Sequence, residues 1–162
     1  MRENKSFDPF FHKNLFYEYN LEILEDEIDQ VLLLVKNINT PNQKTTYKYL
    51  NVLNFPILKK LKKQVIDILD NQKLLLTNNW AQLYNTNNNH GVHAHFGSNY
   101  SGIIYIKGET PTIFYDREFE KYFHKPKLNT LLLFPSYMPH EVKPLKHDEN
   151  RLIISFNTNY KL

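Results

Sequence analysis

The 162-residue chain contains no cysteine. Disulfide scaffolds, thiolate catalysis and cysteine-based zinc sites are therefore excluded, and a bound metal must be held by His, Asp, Glu or backbone oxygen. Long apolar runs are missing too. The longest, Val31–Val35 and Leu131–Phe134, fall far short of the roughly 20 residues that span a bilayer. The first twenty residues are charged and aromatic and lack the apolar core of a signal peptide, so the expectation is a cytoplasmic protein with no membrane contact. Charge of one sign is not in excess: 20 Lys+Arg against 17 Asp+Glu give +3. The one cationic run, Lys59-Lys60-Leu61-Lys62-Lys63, reads better as the solvated face of a helix than as a nucleic-acid contact. Arginine occurs only at positions 2, 117 and 151, with lysine used elsewhere, so Arg151 inside a late apolar strand calls for a specific reason. Glycine occurs four times, always between residues 91 and 108, which concentrates backbone freedom in one stretch.

What is present fits one domain, 1–162. Residues 1–73 read as an N-terminal arm and supporting helices, and 74–159 as a β core. The arm is aromatic, with Phe7, Phe10, Phe11, Phe16, Tyr17 and Tyr19, and it also holds His12, which has little claim as a ligand. Apolar spacing predicts a helix over 20–36, capped by Asn20 and ended by 37–40 and Pro41. A second helix is predicted from Pro56 to about Asn71. Beyond Lys73 the period shortens to that of strands, at 74–76, 80–84, 92–96, 101–107, 111–115, 130–134, 140–142 and 151–157. Residues 85–91, 116–127 and 144–150 read as loops. The fold class expected is mainly β, a jelly-roll or cupin-like barrel with two packing helices in the N-terminal half.

The stretch 80–107 organises this core. It holds His93 and His95, whose i, i+2 spacing on a strand lets both imidazoles reach one point. His140 follows in FPSYMPHEV. Three imidazoles suit Fe, Zn, Cu or Ni and do not suit Mg or Ca. Glu141 alternates to the opposite face from His140. In the last strand Arg151, Ile153, Ser155 and Asn157 share one face, and Leu152, Ile154 and Phe156 share the other; pattern alone leaves open which faces inward. An inward Arg151 is a buried cation whose planar fork matches a carboxylate. Tyr105 and Tyr84 stand where a hydroxyl could reach the same ligand.

Taken together, Trp80…Tyr84…His93-Ala-His95…Ser101-Gly-Ile-Ile-Tyr105, then Leu132-Leu-Phe-Pro-Ser136…His140, then Arg151-x-x-Ile-Ser-Phe-Asn157, resembles the Fe(II)/2-oxoglutarate-dependent oxygenases. More closely, it is similar to a family of small oxygenases of marine bacteria, cyanobacteria and their phages. The resemblance covers about residues 74–159. It implies a double-stranded β-helix with iron in the barrel mouth on His93, His95 and His140. It further implies 2-oxoglutarate chelating the metal, with its distal carboxylate on Arg151 and Tyr105 and with Tyr84 beside it. Oxidative decarboxylation of 2-oxoglutarate would then be coupled to oxidation, as in a hydroxylase, of a small molecule, a peptide or a protein side chain.

Two departures stand out. The family's usual triad is two histidines and a carboxylate, and here the carboxylate position is His95. Either His95 is a true ligand or it stands behind the metal as a hydrogen-bond donor, with Asp116 or Glu118 as candidate replacements from loop 116–127. The serine often found two residues after the arginine is also absent. These departures keep two other readings in play, a cupin-like binding barrel without catalysis and a three-histidine dioxygenase that does not use 2-oxoglutarate. Tyr115, Phe119, Tyr122 and Phe123 suggest a lid or a homodimer contact.

Overall fold

The computed structural model describes residues 15–37, 44–47, 50–86, 88–145 and 149–162. The readings made for Phe7, Phe10, Phe11, His12 and the helix-ending segment 38–41 lie outside these. Among the described residues ten strands form two antiparallel sheets, and two α-helices pack on one of them.

The six-stranded sheet has the order β1 (Tyr17–Asn20), β8 (Thr130–Pro135), β5 (Tyr100–Lys107), β10 (Arg151–Tyr160), β3 (Leu74–Tyr84) and β2 (Lys44–Thr45). The four-stranded sheet has the order β4 (His90–His93), β9 (His140–Val142), β6 (Thr112–Tyr115) and β7 (Lys121–His124). Strand alternation gives the large sheet two apolar faces. On one side Leu83, Ile104, Ile106, Leu131, Leu133, Leu152, Ile154 and Phe156 join Val31, Val35, Leu61, Val65 and Leu69 of helices α1 (Glu25–Lys36) and α2 (Lys59–Asn71). On the other side Tyr84, Ile103, Tyr105, Leu132, Phe134 and Ile153 meet Phe114 and Val142 of the small sheet. A sheet covered on both faces explains why β5, β8 and β10 read as nearly continuous apolar runs.

Several elements differ from the sequence expectation, each for a tertiary reason. The first helix starts at Glu25 and not after Asn20. Asn20 is instead paired with Thr130 in the β1–β8 ladder, and the Leu21 N–H continues the pairing to the Asn129 carbonyl at 2.8 Å. The buried Glu27 side chain then takes the Leu24 N–H at 2.9 Å and the Leu61 N–H at 3.3 Å, which ties α1 to the start of α2. The two predicted strands 74–76 and 80–84 are one strand, because β10 pairs along its whole length. The polar interruption belongs to the outer connections: Asn79 Oδ1 accepts the Leu53 N–H at 2.7 Å, and Thr77 Oγ1 donates to the Asn157 carbonyl at 3.0 Å. The charged excursion 116–127 contains the turn and second strand of a hairpin, β6–β7, turned by Asp116, whose Oδ1 accepts the N–H groups of Glu118 and Glu120. Residues 90–93, and not 92–96, form β4, so the strand ends at His93. The run at 59–63 does lie on a helix, with Leu61 buried and Lys59, Lys60 and Lys63 exposed. Among the described residues no helix is long and apolar enough to cross a membrane.

Gly102 marks the tightest packing between β5 and β10. A Cβ at this position would lie 2.0 Å from the Phe156 ring, which is itself fully buried. Gly102→Ala is therefore expected to cost about 1–3 kcal/mol, the usual range for overpacking. A urea titration would measure the loss, and adding Phe156→Leu should recover part of it.

Candidate metal centre

His93 closes β4 and stands directly opposite His140 on β9 in the strand pairing. His95 lies two residues past the strand, where its N–H donates to the Ser136 carbonyl at 2.8 Å. This bond carries the chain back toward the barrel, so His95 joins the other two without sharing their sheet. One ligand-capable nitrogen from each of His93, His95 and His140 lies within 4.8 Å of the others. The ring centroids are 4.3 Å apart for His93 and His140, and 5.2 Å for each pair that includes His95.

The hydrogen bonds behind the rings settle which nitrogen is free. His93 Nδ1 lies 2.8 Å from the Gly91 carbonyl, His140 Nδ1 lies 3.0 Å from the Met138 carbonyl, and His95 Nδ1 lies 2.7 Å from Asn157 Oδ1. Each partner is an acceptor, so each Nδ1 carries the proton and each Nε2 keeps its lone pair. This is how metal-binding imidazoles are oriented, by an oxygen accepting from the nitrogen that does not bind. Behind His95 the anchoring extends further: Ser101 Oγ donates to Asn157 Oδ1 at 2.8 Å and shares a 2.8 Å hydrogen bond with Ser136 Oγ. Burial lowers the pKa of all three imidazoles, most strongly at His140, so they are neutral near pH 7 and ready to accept a cation.

No carboxylate completes this group among the described residues. Asp116 is occupied with its own hairpin. Glu141 points away, as alternation requires, and accepts hydrogen bonds from the Tyr115 hydroxyl and from Lys143 Nζ, the latter at 2.9 Å.

Beside the histidines lies a narrow cleft of about 20 Å³, lined by Tyr84, His90, Thr112 and Arg151 among others. Arg151 faces inward and is wholly buried. Its Nη2 donates to Thr112 Oγ1 at 2.8 Å, while Nε and Nη1 have no partner among the described residues. Its guanidinium carbon lies 5.1 Å from the Tyr84 ring centre and 5.6 Å from that of Tyr105. The Tyr105 hydroxyl is 2.9 Å from Thr112 Oγ1. Burial pushes both tyrosines up to about 12, against the pull of Arg151, so both hydroxyls keep their protons. A buried cation with Nε and Nη1 unpartnered among the described residues, between two neutral phenols, has the chemistry to receive an anion.

A wider groove of about 480 Å³ adjoins the cleft and shares Trp80, Gln82, His90, His93 and His95 with it. Thr45, Tyr47, Phe96 and Asn157 complete much of its wall, and among the described residues no Asp, Glu, Lys or Arg lines it. His90 lines both cleft and groove, and sequence reading missed it. Its ring stacks on His93 at 3.8 Å and 16°, with Nδ1 3.5 Å from the Tyr84 hydroxyl. The signal was its place three residues before His93, hidden by assigning it to a loop. Thr112 and Asn157 also gained their roles only from the structure.

Burial lowers His90 to about 4. Four histidines that are harder to protonate in the fold than in the unfolded chain bind fewer protons when folded, once the pH falls below the ordinary value near 6.5. The metal-free protein should therefore be at full stability above about pH 7 and lose it progressively down to about pH 4. Urea midpoints measured across that range check this, and His140→Asn should flatten the dependence.

The family model described as "Putative 2OG-Fe(II) oxygenase" matches residues 109–157, which include His140 and Arg151 but not His93 or His95. No curated protein sequence matches. Among solved structures, the viral collagen prolyl hydroxylase of Paramecium bursaria Chlorella virus-1, in its 2OG complex, is similar at TM-score 0.68 and 13% identity over 93% of this chain and 98% of that one. A prolyl hydroxylase from Trichoplax adhaerens, solved with a hypoxia inducible factor peptide fragment, gives TM-score 0.70 and 17% identity over 92% and 85%. HygX from Streptomyces hygroscopicus, with nickel and 2-oxoglutarate bound, gives 0.66 and 12% over 94% and 85%. Over residues 109–157 the chain matches the sequence pattern of a 2OG-Fe(II) oxygenase family, and over nearly its full length it shares the double-stranded β-helix of these solved structures.

Proposed function

We propose that the protein is an Fe(II)- and 2-oxoglutarate-dependent oxygenase, a hydroxylase, acting on a substrate that is uncharged where it meets the metal. The observation that carries this is the pairing of three neutral, acceptor-anchored histidines with a buried Arg151 that has two N–H groups to spare. His93, His95 and His140 would hold the iron through Nε2. Iron at that point supplies oxygen activation coupled to oxidative decarboxylation of 2-oxoglutarate. Arg151 would hold the distal carboxylate of 2-oxoglutarate, with Thr112 fixing the guanidinium and the Tyr105 and Tyr84 hydroxyls bordering the same end.

His90 lines both the cleft over Arg151 and the adjoining groove. Trp80, Tyr47 and Phe96 give the groove flat apolar surface, and Gln82 and Thr45 add neutral polar groups. The absence of charge along this wall favours a neutral substrate segment. The three-histidine set also supports a second reading, a dioxygenase in which Arg151 binds the carboxylate of the substrate itself.

Anaerobic Fe(II) and 2-oxoglutarate added together should give the visible charge-transfer band of the chelate. His93→Ala should abolish it. Arg151→Ala should weaken 2-oxoglutarate binding on the order of 100-fold, as expected for loss of a buried charge pair. Metal uptake with no band at any 2-oxoglutarate concentration would sink the first reading and leave the second.

A further inference from the structure

Three imidazoles, the Tyr84 and Tyr105 phenols and one guanidinium make up the ionisable groups of the centre among the described residues, and neither cleft nor groove is lined by a described carboxylate. Among the described lining residues the formal charge is that of Arg151. Glu149 and Glu18 lie outside the lining, and Glu149 is taken up by the N–H groups of Glu109 and Thr110 and by the Thr110 hydroxyl. A divalent ion on the histidines would therefore bring the charge of the described lining to three positive units, with no carboxylate of that lining to offset it. Buried charge of one sign is costly unless paired, and the cost grows when a second like charge is enclosed beside the first.

Resting on the oxygenase reading, we infer that this is an anion-dependent metal centre: with His95 where a carboxylate would stand, the chain binds a divalent metal tightly only together with a dianionic chelator. The dianion cancels two of the three charges, one at the metal and one at Arg151. Each ligand then raises the affinity for the other by the same factor, as linkage requires. Any 2-oxo acid that chelates the ion couples to it to some degree. The inference is that charge enlarges this coupling, so a carboxylate restored at position 95 shrinks it. With the negative charge built in, the metal binds better alone and the dianion binds the loaded protein less well.

The test is calorimetric titration of Mn(II) into the metal-free full chain, with and without saturating 2-oxoglutarate, for wild type, His95→Asp and His95→Glu. The coupling factor is the ratio of the two metal dissociation constants. Wild type is expected to exceed either variant by about tenfold or more, a typical size for coupling between sites. The variants should also bind Mn(II) alone more tightly than wild type does. Equal or larger coupling in a variant that takes up the metal would overturn the inference. Should neither variant take up metal, 2-oxopentanoate on wild type decides, since it keeps the chelating end and chain length but carries one charge. Coupling equal to that of 2-oxoglutarate would overturn the inference, and coupling lower by about tenfold would uphold it. Failure of the underlying reading looks different: wild type then binds no Mn(II) with or without 2-oxoglutarate, or binds it with no response to 2-oxoglutarate.

Discussion

Strand β10 lies between β3 and β5 and alternates between two unlike environments, and most of the molecule depends on that alternation. Leu152, Ile154 and Phe156 enter the core shared with the helices. Arg151, Ile153 and Ser155 line the cleft, and Asn157 reaches His95. A slip of one residue would exchange the two sets, placing a guanidinium among leucines and phenylalanine among the histidines. Pairing with β3 over the whole strand and the close fit of Gly102 under Phe156 hold the register. The same ladder that stabilises the domain therefore aims the buried Arg151.

The site is built by anchoring from behind. Each of the three clustered imidazoles has its Nδ1 proton taken by an oxygen that is fixed by the chain: two backbone carbonyls two residues away, and one asparagine from the far end of β10. The local carbonyls cost the sequence nothing, since they follow from where the histidines sit. The Asn157 contact is of another kind, spanning 62 residues and using the two serines that surround it. His95 is the ligand-capable residue that departs from the family pattern, and it is the one with the most extensive support.

Local order made much of this legible. The His-x-His pair, His140 and Arg151 stand in sequence where the resemblance requires them, and the apolar runs of β5, β8 and β10 announce buried strands. Less legible was whatever depended on a partner distant in sequence. Asn20 has the chemistry of a helix cap, yet it serves a strand because Thr130 lies opposite. Residues 77–79 look like a break, yet they continue β3 because β10 pairs along it. Residues 116–127 look like a loop, yet they hold the turn and returning strand of a hairpin because Asp116 folds back on its own backbone. His90 was passed over because a polar, glycine-bearing segment gives no periodic signal, and only its stacking on His93 reveals it.

The sequence by itself determined the chemical inventory: no thiol, three histidines in the right order, one arginine in an apolar strand, and a mainly β chain with two amphipathic helices. These follow from residue type and short-range periodicity, which need no knowledge of neighbours. Only the tertiary structure decided that Arg151 faces inward, that each imidazole offers Nε2, and that no carboxylate stands by the three of them among the described residues. Those are questions of which face is covered and which distant atom accepts a proton, and the packing of the two sheets answers them.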